Sequence, residues 1–205
     1  RAFGPTPPCC GLETWEDCLS GELRLAFEAA LPAPMAYQTW LREHRREQHI
    51  IPYTLRAGDR RSLRSLEGPT KVDALLVNLD NGFALLVEAK VMSDLSGDVS
   101  FDAFRNQFAR NVDVMLEAGG GHPWLAARRA DRSLFTLLTP RCFQQRPHSR
   151  LYGFLYEEYT QHPAALARDL PHRTDCDWSG ISRRIGWLTF EDINDAQPGA
   201  CPWME

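Results

Sequence analysis

Two apolar runs, Val72–Leu79 (VDALLVNL) and Phe83–Val91 (FALLVEAKV), stand on either side of Asp80-Asn81-Gly82. Asn-Gly between β-type runs is a strong short-range hairpin signal, because both central residues of a type I′ turn take positive φ. A two-residue Asn81-Gly82 turn sets Leu75 against Glu88 and Asp73 against Lys90, and directly opposed residues share a face. Glu88 and Lys90, two apart, also share a face. Asp73, Glu88 and Lys90 are therefore expected together at the end of the hairpin away from its turn. Leu75, Val77, Leu79, Ala84 and Leu86 lie beside them, and the opposite face reads Val72, Ala74, Leu76, Phe83, Leu85, Val87, Ala89 and Val91. Both faces are apolar, which predicts a central hairpin covered on both sides.

Around this hairpin the apolar spacing predicts helices over Trp15–Leu31, ended by Pro32, and over Pro34–Gln48, with Pro in its first turn. His49–Leu55 reads as a strand and 58–68 as an Arg-rich loop. A helix over Phe101–Ala118 is closed by Gly119, Gly120 and Gly121. Leu134–Thr139 and Ile185–Phe190 read as strands and His162–Leu170 as a short helix; Leu151–Tyr159 fits either element. The order predicts an α/β fold, a central mixed β-sheet flanked by helices on both faces. A chain of 205 residues supports one substantial core. No Pro/Gly/Ser linker divides it, so the expectation is a single domain over 1–205, with a core at about 35–140 and strand and helix additions over 141–205.

Composition excludes several classes. No apolar run reaches the roughly 20 residues that cross a bilayer, and residues 1–8 hold no apolar core of signal-peptide length. A cytoplasmic protein with no membrane contact is expected. The six cysteines include no C-x-x-C pair, which argues against structural zinc and for reduced, mostly buried thiols. Net charge is −4, so the chain as a whole does not announce a polyanion partner. Its arginines nevertheless cluster at 42, 45 and 46, at 56, 60, 61 and 64, and at 128, 129 and 132. These fit a solvated face as readily as a phosphate-binding one. His172 with Cys176, or Ser149 with His148, lack a nucleophile-elbow glycine frame, and no phosphate-binding glycine loop is present.

The hairpin cluster stands apart because of its lysine. Of 23 basic residues, 21 are Arg, and only Lys71 and Lys90 are Lys. Arg would serve a surface ion pair at least as well, whereas a compact ammonium suits a site beside water and a cation. The alternative is a structural ion pair at a strand end.

The pattern Pro69-x-x-x-Asp73 followed by Glu88-Ala89-Lys90 resembles the PD-(D/E)xK signature of the restriction-endonuclease-like nucleases. In that superfamily the Asp usually follows Pro directly; here Val72 precedes Asp73. The resemblance covers about residues 37–139, more weakly 185–192, and implies a restriction-endonuclease-like core of helix, three strands, helix and strand. It implies a metal-dependent deoxyribonuclease in which Asp73, Glu88 and the Ala89 carbonyl hold Mg²⁺, or Mn²⁺ in its place, and Lys90 orients the attacking water. Gln107, Arg110 and Asn111 share one face of the following helix. They resemble an element of several nuclease branches, with Gln107 in the catalytic group and Arg110 and Asn111 meeting substrate. Glu43 and Glu47 are candidates for a further acidic ligand from the preceding helix. DNA is the expected partner, and a homodimer the expected assembly by analogy. Two rival readings remain open: the same fold used as a non-cleaving scaffold for nucleic acid or protein, and a subunit active only in a larger assembly.

Overall fold

The computed structural model describes residues 2–97, 101–117 and 124–204. In chain order its elements are α1 (Trp15–Leu19), β1 (Leu23–Leu31), α2 (Met35–Gln48), α3 (Pro52–Asp59), β2 (Thr70–Asn78), β3 (Ala84–Ala89) and α4 (Gln107–Met115). There follow β4 (Ser133–Thr139), α5 (Arg141–Gln144), α6 (Leu151–Gln161), α7 (Ala164–Asp169), α8 (Trp178–Ser182), β5 (Ile185–Thr189) and α9 (Phe190–Ala196). The strands form one sheet in the order β1-β2-β3-β4-β5. Strands β1, β2 and β3 pair antiparallel, and β4 and β5 continue parallel to β3. The α/β architecture with a mixed, helix-flanked sheet is thus present.

The hairpin forms with a wider turn than two residues. Gly82 N–H donates to the Asn78 carbonyl at 3.0 Å, and Asn78 N–H to the Phe83 carbonyl at 2.8 Å. The Asn78 side-chain oxygen accepts the Asp80 N–H at 3.0 Å, so a side chain organises the loop. Gly82 takes φ +76, and a Cβ there would meet the Ala127 carbonyl at 2.7 Å. Leu75 consequently faces Leu86 rather than Glu88, and Val77 faces Ala84. The slip is an even one, so Glu88 keeps its face: a shift of one residue would have turned it over.

On that face β2, β3, β4 and α4 enclose the main core. Leu75, Val77, Ala84, Leu86, Phe135 and Leu137 pack with Phe108, Val112 and Met115 of α4 and with α6 and α7. Phe108 meets Phe135 and Tyr159 edge-on, with ring centroids 5.1 and 5.3 Å apart, the arrangement aromatic quadrupoles favour. The second face is covered only in part, contrary to the expectation from its apolar residues. A smaller cluster of Leu12, Cys18, Phe83 and Leu134, with Phe3 and Trp15, caps one end. Beyond it Leu25 and Phe27 of the edge strand stand 59% and 73% exposed.

Three elements differ from expectation. The long first helix is α1 plus β1. Thr14 and Asp17 form a reciprocal capping box that starts α1, and Gly21 at φ +110 ends the segment. Trp15, Leu19, Leu23 and Phe27 recur at four-residue spacing, but Leu23, Leu25 and Phe27 also alternate. Pairing along β2 decides for the strand. The strand expected at His49–Leu55 is instead the entry to α3, with Pro52 in its first turn. Ile50, 88% exposed, pairs with no strand among the described residues. The helix expected from Phe101 is α4, which begins at Gln107 because the Asn106 side chain accepts the Ala109 N–H and caps it. Gly119, Gly120 and Gly121 lie outside the described residues.

Leu151–Tyr159 lies within α6. Of the cysteines only Cys18 and Cys201 are buried, whereas Cys10 and Cys142 are exposed; mostly buried thiols are not what the fold provides. Among the described residues no helix is long and apolar enough to cross a membrane.

Candidate functional site

Regular pairing in the sheet breaks down around Asp73. The β2–β3 ladder ends at Ala74 opposite Val87, so Asp73 is the first β2 residue beyond it. On its other side the β1–β2 register skips the rung between Glu28 and Asp73, where Glu28 takes φ +52. A non-glycine residue in that region is held there against a cost of roughly 1–3 kcal/mol. In the gap left by the ladder, one Asp73 carboxylate oxygen accepts the Ala89 N–H at 2.6 Å. The aspartate is thereby fixed against the residue between Glu88 and Lys90.

Glu88 lies on the core face of β3, only 2% exposed. Its Oε1 receives the Lys90 ammonium at 2.7 Å and the Gln107 side-chain amide at 2.8 Å. Its Oε2 accepts the Asn111 amide at 3.3 Å. Burial pushes the Glu88 carboxyl above its ordinary range. Lys90 pulls it down, the nearby negative charge of Asp73 pushes it up, and the Asn111 amide lowers it; the balance is a raised pKa. A desolvated carboxylate, Glu88, therefore feels the negative charge of half-buried Asp73, an arrangement that favours a proton or a cation nearby.

The structure thus brings together Asp73, Glu88, Ala89, Lys90, Gln107 and Asn111. Asn111 is fully buried against Glu88, so it touches that carboxylate rather than lying open to a substrate. Arg110 is engaged elsewhere. Its guanidinium pairs with Glu67 at 2.6 Å and reaches the Gly68 carbonyl at 3.3 Å, bracing the segment that leads into β2. Glu43 and Glu47 are exposed on α2. Neither has a hydrogen bond or ion pair to Asp73 or Glu88 among the described residues.

The donor set suits a hard divalent ion in kind: two carboxylates and a neighbouring main-chain carbonyl. The Asn111 side-chain oxygen, buried beside Glu88 without a hydrogen-bond partner, is a further oxygen donor in need of a positive neighbour. In number the set is small. No group of three or more His, Cys, Asp or Glu residues that could hold a metal occurs among the described residues. Mg²⁺ accepts such sites because it retains water and uses one or two carboxylates together with substrate oxygens.

Behind the site lies an ionic network that the sequence did not lead us to expect. Asp113, fully buried on α4, receives Arg105 at 2.6 Å, His172 at 3.0 Å and Arg173. Arg105 also pairs with buried Glu67 at 3.0 Å and lies 3.5 Å over the Tyr37 ring. A signal was available: Asp113 interrupts the apolar run Val112-Asp113-Val114-Met115, and a carboxylate on the buried side of a helix needs partners. Compared with protein-family models, with curated proteins and with solved structures, the chain matches none.

Proposed function

We propose that this chain is a metal-dependent nuclease that hydrolyses phosphodiester bonds in DNA. The observation that carries this reading is the junction at the end of the β2–β3 ladder, where Asp73 is bonded to the residue between Glu88 and Lys90. A divalent cation such as Mg²⁺ or Mn²⁺ would be held by Asp73, Glu88 and the Ala89 carbonyl. It would supply acidification of water and screening of charge on the phosphoryl oxygens. In such a site Lys90, which lies 2.7 Å from Glu88, would hold the attacking water. Gln107 and Asn111 keep the two Glu88 oxygens oriented.

A basic surface supports a polyanionic substrate. Over residues 42–64 there are seven arginines against three acidic side chains, Glu43, Glu47 and Asp59, although the whole chain is net negative. Arg46, Arg56, Arg60, Arg61 and Arg64 are exposed. Replacing Arg60, Arg61 and Arg64 together by Ala is expected to weaken DNA binding without regard to sequence. It should also flatten the log-affinity against log-salt slope by about one for each phosphate that is no longer neutralised. An unchanged slope would remove this surface from the interface.

The closed Glu88–Lys90 pair favours a second reading, a non-cleaving scaffold in which that pair is structural. Calorimetry with Mn²⁺ separates the two. A binding event in the wild type that vanishes in both Asp73→Asn and Glu88→Gln supports the nuclease. Absence of any event in the wild type favours the scaffold.

A further inference from the structure

A cavity of about 470 Å³ opens between α2, the segment 102–106 and the α6–α7 region. Its walls include Trp40, Gln48, Asp102, Phe104, Arg105 and Asn106. Asn106 immediately precedes Gln107, whose amide is bonded to Glu88, so one wall of the cavity leads along the chain into the helix that carries the partners of Glu88. On its α2 side it borders the arginine-rich surface, and the Ala103 N–H to Gln48 carbonyl bond at 3.0 Å ties these walls together.

We propose that this cavity receives one unstacked nucleobase of a single-stranded segment of the substrate; this rests on the nucleic-acid reading above. Phe104 is an aromatic ring left 68% exposed at the cavity wall, although it stands one turn before a helix whose other aromatic, Phe108, is fully buried. An exposed ring at a cavity rim provides a stacking surface that any base can use. The polar lining is balanced: Arg105 and Arg168 are matched by Asp102 and Asp169. That balance suits a neutral, hydrogen-bonding ring better than a phosphate, which the outer arginines accommodate. The volume lies within the usual range for small-ligand pockets, roughly 300–1,000 Å³. A base can reach such a pocket from a single strand at little cost, whereas a duplex must first unpair and unstack it.

Affinities for a fluorescein-labelled thymidine strand of about 12 nucleotides and for an abasic strand of equal length, measured in EDTA so that no cleavage occurs, test the assignment. Phe104→Ala is expected to weaken thymidine-strand binding roughly tenfold and to leave abasic-strand binding unchanged, with Phe104→Tyr restoring the loss. Phe104 is exposed, so these variants retain the fold. Equal losses on both strands, or no loss on either, would overturn the pocket. A wild type that cleaves DNA yet shows no Phe104 effect sinks this assignment alone. A wild type that binds neither strand sinks the nucleic-acid reading, and the pocket with it.

Discussion

Replacing Asp113 by Ala is expected to destabilise the fold by about 3–5 kcal/mol, because removal of one partner strands buried opposite charges. Asp113 is the point at which α4, the 102–106 segment and the 172–173 turn are joined, through Arg105, His172 and Arg173. Arg105 would keep Glu67, but His172 and Arg173 would lose the carboxylate they share. Urea titration of the wild type, Asp113→Ala, Arg105→Met and the double variant measures this directly. The double variant should cost less than the sum of the singles, since each single already loses the direct Arg105–Asp113 pair. Additive losses would mean that the network is not coupled.

The same cluster fixes a pH dependence. Burial alone would raise the Asp113 carboxyl, but the His172 hydrogen bond and the charges of Arg105, His172 and Arg173 outweigh it and hold it well below its ordinary value of 3.8. A depressed carboxyl stabilises the fold fully above the unfolded value, and that contribution is lost as pH falls through the folded one. The stability difference between the wild type and Asp113→Asn should therefore shrink below about pH 4. A difference that grows in acid would contradict the assignment.

On the proposed reading, Lys90→Ala lowers DNA cleavage by about 10²–10³-fold, the usual effect of removing one donor that stabilises charge in a transition state. Lys90→Arg should not restore it, because a planar fork cannot take the place of a compact ammonium against Glu88 and water. Thermal unfolding separates this from collapse of the site. Both variants should keep a cooperative transition, since Lys90 sits at the open end of β3 and Glu88 retains Gln107 and Asn111 as partners. Full activity in Lys90→Arg would show that the position needs only a positive charge.

The hairpin and its charged end were legible because two signals agreed, strand-type residues on both sides and a turn sequence between them. The register was not, since it depended on Asn78 organising the loop with its side chain. Period-2 and period-4 spacings coincide over Leu23–Phe27, and only the partner strand β2 resolves them. Ile50, Ile51 and Tyr53 carry strand propensity, but they pair with no strand among the described residues, and Pro52 opens a helix instead. Gln107 and Asn111 could be placed on one helical face from spacing. That Arg110 pairs with Glu67 instead of facing a substrate could not, because it depends on a buried glutamate in a segment that reads as polar loop.

The most direct test of the nuclease assignment is incubation of purified wild type, Glu88→Ala and Lys90→Ala with supercoiled plasmid and single-stranded DNA in Mg²⁺, in Mn²⁺ and in EDTA. Nicking or digestion by the wild type is expected in a divalent metal and not in EDTA, with loss of activity in both variants. Wild type that leaves both substrates intact in both metals, or variants that cut as well as the wild type, would contradict it.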